Sequence, residues 1–302
     1  MPTRVVDLGV TSSIGRRPRQ EDRYTITQPG EMGKGIRYFA VYDGHAGPGV
    51  SEHAHKHLHQ HISNLLSDGN YGDALKMAMQ AEDEALRREG LFGEGSTVAA
   101  ALLDESKNEL VVADLGDSHV VLAEDIPDRE GKWRTSRLSR EARPNADSER
   151  ERIEAAGGRL DFSTGQGRIG ERKCDHFLQA RAERLHAGKI NVSRALGDFD
   201  YKLPHVQKVD RQSSLSNGAL IKHDLVSDEP HIRSSHLNGR SLLLLASDGV
   251  GEGEDAERTT EAAVKMISKG ASADETAEAL AQQCSKRQFA DNCTIIIVLL
   301  ES

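Results

Sequence analysis

Several carboxylates in this 302-residue chain stand directly beside the ends of apolar segments. The run Phe39–Tyr42 ends on Asp43, which is followed by Gly44 and His45. The other acids placed in this way are Glu21, Asp22, Asp117, Asp248 and Asp291. For one Asp-Gly pair an ordinary turn is a sufficient explanation, because Gly accepts positive φ and Asp bonds nearby amides. Repetition favours a shared site, since carboxylates that converge repel one another unless a cation lies between them.

The residue types in this set indicate which cation it would hold. All the side chains are oxygen donors, and neither a Cys nor a pair of histidines stands among them. Such ligands suit Mg²⁺ or Mn²⁺ better than zinc. Gly44 offers a backbone ligand as well, because without a side chain its carbonyl can approach an ion closely.

Two further side chains would extend a metal site to phosphate chemistry. Arg17, on the segment just before Glu21, has a planar guanidinium that can hold two phosphate oxygens. His45 can protonate a departing alkoxide. Arg17 also has a simpler interpretation as a solvated surface charge, because Arg16 and Arg19 in the same segment could serve equally well.

Short β-segments are predicted to position these residues, because runs rich in Val, Ile, Leu and Tyr are bounded by Gly, Asp and Asn. The predicted strands are Val5–Ser12, Arg23–Thr27, Ile36–Asp43, Thr97–Asp104, Glu109–Leu115, Ser118–Glu124, Leu242–Ser247 and Cys293–Glu301. The sequence LGDS (115–118) between two of them predicts a hairpin turn. Apolar residues at helical spacing predict helices at Gly47–Leu66, Tyr71–Glu89, Glu257–Lys269 and Ala273–Arg287.

The order of these elements fits an α+β arrangement. Two helices follow one strand and two more follow a later strand, which differs from strict βαβ alternation. Residues 157–191 and 204–227 are polar, rich in Gly and Arg, and too long to be ordinary connections. We expect both to be insertions on a single domain that spans residues 1–302.

The composition argues against some classes of function. A net charge of −9, with acids spread along the chain, argues against nucleic acid as the main partner. The longest apolar runs are too short to be inserted across a membrane. The three cysteines, Cys174, Cys284 and Cys293, form no C-x-x-C pair, which favours a reducing, intracellular compartment. Cytoplasmic, nuclear and mitochondrial locations all fit, and a monomer is expected.

Motifs along nearly the whole chain resemble, in order, those of the metal-dependent protein phosphatases of the PPM family, also called type 2C serine/threonine phosphatases. They are GRRPRQEDRY (15–24), FAVYDGHAGP (39–48), GSTVAAALL (95–103), VADLGDSHVVL (112–122), ARPNADSERERIEAAGG (142–158), VSRALGDFDYK (192–202), LLLASDGV (243–250) and DNCTIIIV (291–298). The resemblance implies a central β-sandwich of two antiparallel sheets flanked by pairs of α-helices on both outer faces, a four-layer α-β-β-α fold. It also implies that residues 157–191 belong to the flap beside the active site.

The resemblance implies a role for each candidate metal ligand at one end of the sandwich. Asp43 would bridge two Mn²⁺ or Mg²⁺ ions, and Gly44 would bind through its carbonyl. Asp248 and Asp291 would each hold the first ion.

The remaining candidates complete the implied site. Glu21 would hold the second ion, largely through water, and Asp22 would support the cluster. Asp117 matches a position linked in some members to a weaker third ion. Arg17 would bind the phosphate, and His45 would be the general acid. A hydroxide bridging the two metals would attack phosphoserine or phosphothreonine in line, so that phosphoprotein substrates are cleaved without a phosphoenzyme.

The chain departs from the family pattern after its Asp-Gly motif. Gly251 stands where a bulky aromatic residue is usual, and Glu252 stands where an aspartate is usual, which puts the third metal site in doubt. A catalytically silent phosphatase fold acting as a scaffold is therefore one alternative. A hydrolase of small phosphoesters is another.

Two charged stretches carry hypotheses of their own. Basic residues of the first insertion would select phosphosites in acidic surroundings, or would merely solvate a surface loop; they are Arg168, Arg172, Lys173, Arg181, Arg184, His186 and Lys189. The stretch 53–61 carries a histidine at every second position. An exposed helix face rich in His is the favoured interpretation, and a zinc or copper site is the alternative.

Overall fold

Two five-stranded antiparallel sheets form the centre of the structure. This is a computed structural model, and it describes residues 1–66, 69–127, 129, 131–161, 168–169, 190–207, 216, 220–251 and 253–302. In chain order its strands are β1 (Arg4–Ser13), β2 (Arg23–Ile26), β3 (Ile36–Tyr42), β4 (Gly44–His45), β5 (Gly95–Ser96), β6 (Val98–Asp104), β7 (Glu109–Leu115), β8 (His119–Asp125), β9 (Trp133–Arg137), β10 (Leu160–Asp161), β11 (Arg168–Ile169), β12 (Leu196–Gly197), β13 (His231–His236), β14 (Arg240–Ala246) and β15 (Cys293–Glu301). Its α-helices are α1 (Gly49–Ser63), α2 (Tyr71–Glu89), α3 (Asp147–Ala155), α4 (Asp255–Ile267) and α5 (Ala273–Ser285), with 3-10 turns at Phe199–Tyr201 and Asp248–Val250.

The strands are apolar on both faces because both faces are covered. One sheet has the order β1-β15-β14-β8-β9 and the other has the order β13-β7-β6-β3-β2. On β3, Tyr38, Ala40 and Tyr42 belong to the core beneath α1 and α2, while Phe39 and Val41 belong to the core between the sheets. Successive side chains on a strand point to opposite faces, so an unbroken apolar run indicates burial on both.

Helix pairs form the outer layers. Val50 and Leu58 of α1 and Leu75 of α2 pack on the sheet that contains β3. Helices α4 and α5 pack in the same way on the sheet that contains β15. The predicted α+β sandwich with helices on both outer faces is therefore confirmed. Within the described residues, no helix combines the length and the apolar content needed to cross a bilayer.

Capping residues explain why helix α2 has the predicted bounds. The side chain of Asn70 accepts a hydrogen bond from the backbone N–H of Asp73, and Gly90 ends the helix in the left-handed conformation at φ 78°. The last helix, α5, begins with a capping box between Ser272 and Glu275. These local signals fix where α2 and α5 start, and burial of their apolar faces stabilises them.

The prediction of a hairpin at LGDS was wrong. Strand β7 pairs with β6 and β13, whereas β8 pairs with β14 and β9, so residues 116–118 cross from one sheet to the other. Both strands are buried along nearly their whole length. Neither strand carried a polar face that would have distinguished a hairpin partner from a strand of the opposite sheet.

Apart from the two-residue strands, three elements escaped sequence-based prediction because they carry few apolar residues. Strands β9 and β13 lie at sheet edges and are mostly polar, with half-exposed or exposed side chains. Helix α3 buries only Glu149 and Ile153. An apolar pattern is the main signal for secondary structure, and these elements contain little of it.

The strand register brings the carboxylate-bearing ends together. In one sheet Arg23 lies opposite Tyr42, and Val98 lies opposite Leu115. In the other sheet Ala246 is aligned with both His119 and Ile295. The short crossover at residues 116–118 places these two sheet ends side by side. Every strand end that carries a candidate carboxylate therefore lies at one end of the sandwich.

A small three-stranded sheet of order β12-β5-β4 extends this end of the molecule. His45 pairs with Gly95, and Ser96 pairs with both Gly44 and Leu196. The segment after β12 is thereby fixed beside the segment that follows β3.

The described parts of the two insertions pack with α3. Ile153 of α3 shares a buried cluster with Ile169, Ile190, Val206 and Leu225. Glu252, Cys174 and the basic residues of the first insertion other than Arg168 lie outside the described residues. The hypotheses that rest on them stay predictions.

Candidate metal centre and phosphate-binding residues

Asp43 is fixed by its backbone at the end of β3. Its N–H donates to Oγ1 of Thr97 at 3.2 Å, and its carbonyl accepts from the N–H of Thr97 at 2.9 Å. Burial raises the pKa of Asp43 well above its usual range, and the charges of Asp22, Asp248, Asp117 and Asp291 raise it further. The side chain of Asp43 therefore lies in the combined field of the other candidate carboxylates.

Asp22 is buried beneath the cluster. Its Oδ2 accepts hydrogen bonds from Ser247 Oγ and Thr294 Oγ1, both at 2.8 Å. Its Oδ1 is buried and has no hydrogen-bond partner among the described residues. Burial raises the pKa of Asp22 to about 7 against the effect of the two hydroxyls, with a contribution from Asp248 and Asp291.

Asp117 lies on the crossover between the two sheets. Burial raises its pKa to about 7, with the charge of Asp248 adding to the shift and Arg143 opposing it. The Nη2 atom of Arg143 lies 3.1 Å from Oδ2 of Asp117. Asp117 and Asp248 thus interact, although they come from strands that the sequence alone could not place together.

Asp291 and Arg17 form an ion pair at the edge of the cluster. Both side chains are accessible, with 56% of Arg17 and 36% of Asp291 exposed. The segment that carries Arg17 is held by Asn292, whose Nδ2 donates to the carbonyls of Ile14 at 2.9 Å and Arg19 at 3.0 Å. Oδ1 of Asn292 accepts from the N–H of Glu21 at 2.8 Å, so one side chain fixes the whole segment.

Two glycines allow these segments to approach one another. A Cβ on Gly44 would lie 2.5 Å from the carbonyl oxygen of Glu21 and 2.7 Å from Oγ of Ser51. A Cβ on Gly249 would lie 2.0 Å from the carbonyl oxygen of Asn292. Packing alone therefore requires a glycine at both positions, and the role of the Gly44 carbonyl as a ligand stays a prediction.

Gly251 occupies the position where the resembled family has an aromatic residue. Its φ of 117° favours glycine, and a Cβ there would lie 2.1 Å from Oδ2 of Asp255. The carbonyl of Gly251 accepts a hydrogen bond from Nε2 of His119 at 3.0 Å. Burial, reinforced by Arg137, lowers the pKa of His119 to about 4, so this histidine is a neutral donor. The departure in sequence thus corresponds to a locally consistent structure.

His45 lies beside the carboxylate cluster and contacts Asp198. Its Nε2 is 2.8 Å from Oδ2 of Asp198. Burial lowers the pKa of His45, but the charge and hydrogen bond of Asp198 outweigh it, and Asp117 and Glu21 add to the rise. The net direction is upward, which favours the protonated imidazolium that a general acid needs.

The donor set fits divalent cations. Among the described residues, no group of three Asp, Glu, His or Cys side chains is already arranged closely enough to hold a metal ion. Arg17 forms an ion pair with Asp291, and Arg143 forms one with Asp117. The mutual repulsion of the acids, the orphaned oxygen of Asp22 and the all-oxygen donors nevertheless match what Mg²⁺ or Mn²⁺ would relieve.

The histidine stretch on α1 does not form the exposed face that was expected, and that prediction was wrong. All five histidines are half-buried. Nδ1 of His53 lies 2.6 Å from Oε1 of Glu82, which is fully buried on α2, and Nε2 of His61 lies 3.4 Å from the other oxygen of Glu82. His53 and His61 face α2 because α1 and α2 pack together, whereas Nδ1 of His55 lies 3.3 Å from Oγ1 of Thr25 and Nε2 of His59 lies 3.5 Å from Oε1 of Glu31. The sequence of α1 alone could not reveal either set of contacts.

Sequence reasoning missed two residues that organise the site. Asn292 lies within the motif DNCTIIIV, and Asp198 lies within VSRALGDFDYK, yet neither was assigned a role. An Asn before a strand looks like an ordinary turn residue. The pairing of Asp198 with His45 joins residues 153 positions apart, so no local pattern could indicate it.

Known proteins resemble this chain over most of its length. The family model "Protein phosphatase 2C" matches residues 6–293. "Probable protein phosphatase 2C 69" of Arabidopsis thaliana is 30% identical over 298 residues, covering 96% of this chain and 69% of the relative. "Protein phosphatase 2C homolog 2" of Schizosaccharomyces pombe is 28% identical, covering 85% of this chain and 61% of the relative.

Solved structures show the same fold. A serine-threonine phosphatase 2C from Toxoplasma gondii superposes with a TM-score of 0.72 at 22% identity, covering 99% of both chains. A C. elegans sex determining protein superposes with a TM-score of 0.71 at 24% identity, covering 98% of this chain and 65% of that one.

Proposed function

The chain belongs to the protein phosphatase 2C family, and we propose that it is a phosphatase that uses Mg²⁺ or Mn²⁺ to hydrolyse phosphoserine and phosphothreonine in proteins. Members of this family generally use these ions. The observation that carries the proposal is the gathering of mutually repelling carboxylates, with Arg17 and His45 beside them, at one end of the sandwich.

The carboxylates would share the metal ions among them. Asp43, Asp248, Asp291 and the Gly44 carbonyl would hold the principal pair. Their companions are Glu21 for the second ion, Asp22 as a buried support, and Asp117 with Asp248 for a weaker third ion. When bound, the ions supply Lewis acidity, which makes a water nucleophilic near neutral pH and offsets charge on the phosphate.

Arg17 would bind the phosphate. Its guanidinium is accessible and lies on Asp291, so it stands at the mouth of the cluster. A guanidinium can donate two parallel hydrogen bonds to a phosphate as well as to a carboxylate. Substrate binding therefore requires Arg17 to exchange Asp291 for phosphate oxygens.

His45 would protonate the leaving oxygen. A serine or threonine alkoxide is a poor leaving group unless it receives a proton as the bond to phosphorus breaks. The carboxylates around His45 favour its charged form, so the proton is available near neutral pH. Water attacks phosphorus directly in this scheme, and no side chain needs to be phosphorylated.

The substrate and assembly are part of the same proposal. The substrates would be phosphoproteins, and a monomer with residues 1–302 as one catalytic domain would suffice. If the basic first insertion selects acidic phosphosites, deleting residues 166–187 should reduce the rate on acidic phosphopeptides more than on basic ones. Equal losses on both would sink that selectivity.

The test measures phosphate release from a phosphothreonine peptide during Mn²⁺ and Mg²⁺ titration. We expect turnover that saturates with either metal and disappears with a chelator. Asp248→Asn should lose the same activity while keeping the wild-type circular dichroism spectrum. Glu301→Gln, at the opposite end of β15, serves as the matched control and should behave as wild type.

Folded protein that releases no phosphate at millimolar Mn²⁺ would contradict the proposal and favour a catalytically silent scaffold. Turnover of small phosphate esters without turnover of any phosphopeptide would favour a small-molecule hydrolase instead. In either case the metal titration of the folded protein can be repeated by calorimetry to separate loss of metal binding from loss of chemistry.

A further inference from the structure

We propose that Asp198 is the positioning residue for His45, holding the imidazole by Nε2 so that Nδ1 faces the leaving oxygen of the substrate. The inference rests on the proposed function, because it assumes that His45 is the general acid. It adds a residue for which the sequence analysis gave no role.

The contact itself is short and well protected. Oδ2 of Asp198 lies 2.8 Å from Nε2 of His45, and the side chains are 7% and 31% exposed, respectively. The acid is the more buried of the two partners, so it is part of the scaffold and the imidazole is the part that reaches the solvent. A carboxylate that accepts from one ring nitrogen fixes both the tautomer and the ring orientation.

The small sheet β12-β5-β4 is built around this pair. His45 ends β4, and Asp198 directly follows β12. The central strand contributes Gly95, where a Cβ would lie 2.2 Å from Oδ2 of Asp198 and 2.4 Å from Nε2 of His45. Any side chain on Gly95 would therefore occupy the space of the hydrogen bond between its two neighbours.

The backbone of Asp198 is held in an unfavourable conformation. Its φ and ψ are 51° and 40°, the left-handed region that few residues other than glycine adopt. Its N–H donates to the carbonyl of Glu94 at 2.9 Å, and its carbonyl accepts from the N–H of Tyr201 at 2.9 Å. Such strain persists where the surroundings over-determine it, and it is concentrated at functional sites.

A buried ion pair supports the segment on either side of Asp198. Oδ1 of Asp83, on α2, accepts from the N–H of Gly197 at 2.8 Å and from Nζ of Lys202 at 2.7 Å. Nζ of Lys202 also donates to the carbonyl of Ala195 at 3.0 Å. The turn that presents Asp198 is thus fixed before and after it by one carboxylate from the helix layer.

The pair leaves one ring nitrogen for chemistry. Nε2 is engaged by Asp198, and Nδ1 of His45 has no hydrogen-bond partner among the described residues. A cavity of about 210 Å³ opens beside the pair, lined by both residues and by Tyr201. The leaving side of a phosphopeptide would enter this cavity, where a fixed Nδ1–H could meet the departing oxygen.

The test compares substrates that differ in their need for an acid. Asp198→Gly removes the carboxylate and tolerates positive φ, while Asp198→Asn keeps an acceptor of the same shape. For Asp198→Gly we expect kcat on a phosphothreonine peptide to fall about 30-fold or more, because positioned general acids contribute about 10²–10⁴-fold. On p-nitrophenyl phosphate, whose leaving group needs no proton, kcat should change less than about threefold, with KM little changed for either substrate.

Four further measurements make the result decisive. Asp198→Asn should recover part of the loss, and the double variant Asp198→Gly/His45→Gln should be no slower than His45→Gln alone. Nitrogen-15 spectra of histidine need no turnover, and in Asp198→Gly the Nε2 resonance of His45 should move toward that of a freely solvated imidazole, because the hydrogen bond to the carboxylate is lost. Glu301→Gln should match the wild type on both substrates.

Equal losses of Asp198→Gly on both substrates would overturn the inference, because they would indicate general damage to the site. Unchanged turnover of the phosphopeptide, or additive effects in the double variant, would also overturn it while leaving the proposed function intact. A wild type without metal-dependent turnover would overturn the proposed function and this inference together.

Discussion

The guanidinium of Arg17 lies on the carboxylate of Asp291, so the proposed phosphate-binding cation is paired with a proposed metal ligand. Arg17 can therefore bind either Asp291 or the phosphate of the substrate, and Asp291 can bind either Arg17 or a metal ion. An exposed ion pair of this kind contributes little to stability, about 0–1 kcal/mol, and can be exchanged readily. If the two proposed roles hold, the pairing would make metal binding and phosphate binding interdependent.

Removing Arg17 should weaken phosphate binding more than catalysis. For Arg17→Ala we expect KM for a phosphothreonine peptide to rise about 10- to 100-fold, since charge-assisted bidentate hydrogen bonds are lost. Steady-state kinetics at saturating Mn²⁺ measures this. Arg16→Ala and Arg19→Ala are the controls for the simpler interpretation of the segment, and an equal rise in KM for either would show that Arg17 has no special role.

The metal-free protein should become less stable as the pH rises. Burial raises the pKa of Asp22 and Asp117 from 3.8 to about 7, so between these values the folded protein binds more protons than the unfolded chain. The free energy of unfolding therefore falls with increasing pH through this range, and it falls by a further roughly 1.5 kcal/mol for the two groups together between pH 6.5 and 8, where they lose their last protons. Urea unfolding in a chelator measures the difference.

Saturating Mn²⁺ should abolish or reverse this trend, because metal ions bind the deprotonated carboxylates of the folded state. Asp22→Asn and Asp117→Asn should each flatten the pH dependence of the metal-free protein. A metal-free protein whose urea midpoint rises between pH 6.5 and 8 would show that the acids are not held in the repelling cluster described above.

Asn292→Ala should release the segment that carries Arg17 and Glu21. The amide of Asn292 makes hydrogen bonds to Ile14, Arg19 and Glu21, and its side chain is almost fully buried. We expect a loss of about 1–3 kcal/mol in unfolding free energy, because three backbone groups lose the partner that the buried amide supplies. The Mn²⁺ concentration for half-maximal activity should rise as well. A stability loss with an unchanged metal requirement would contradict the positioning role.

The buried ion pair between Lys202 and Asp83 offers a test of how the Asp198 turn is supported. Lys202→Met should cost about 3–5 kcal/mol, because Asp83 is left buried without its cation. The double variant Lys202→Met/Asp83→Asn should be more stable than Lys202→Met alone. Thermal and urea unfolding check both statements, and a single variant as stable as wild type would contradict them.

Gly249→Ala should be far more damaging than Gly72→Ala. A Cβ on Gly249 would lie 2.0 Å from a backbone oxygen of Asn292, whereas on Gly72 in helix α2 the nearest atom is a side-chain methyl of Ile232 at 3.1 Å. A backbone atom cannot move aside as a side chain can. We therefore expect Gly249→Ala to lower the free energy of unfolding by about 3 kcal/mol or more. Urea unfolding of both variants measures the contrast.

Most strands of the sandwich could be predicted from the sequence, because a strand buried on both faces is a continuous apolar run. Apolar runs such as Ile36–Tyr42 and Cys293–Glu301 mark central strands directly. The acids at their ends could be recognised for the same reason, since a carboxylate beside a core strand is conspicuous.

What escaped prediction depends on contacts between distant segments. The LGDS turn looks the same whether it joins strands of one sheet or crosses between two, and only the register of β7 and β8 decides. His53 and His61 of α1 look exposed in sequence, but both lie against the buried Glu82 of α2. Asp198 looks like one more turn aspartate until the small sheet carries it to His45.

Because the chain crosses between the sheets at residues 116–118, the site is built from both sheets and depends on their relative position. Asp43 follows a strand of one sheet and Asp248 follows a strand of the other, while the segment that contains Asp117 connects the two sheets. A slight sliding of one sheet over the other would separate these groups while leaving every strand paired. Mild heating or low urea should therefore reduce phosphatase activity before the circular dichroism spectrum changes. Activity would then report the alignment of the two sheets more sensitively than any spectroscopic measure of folding.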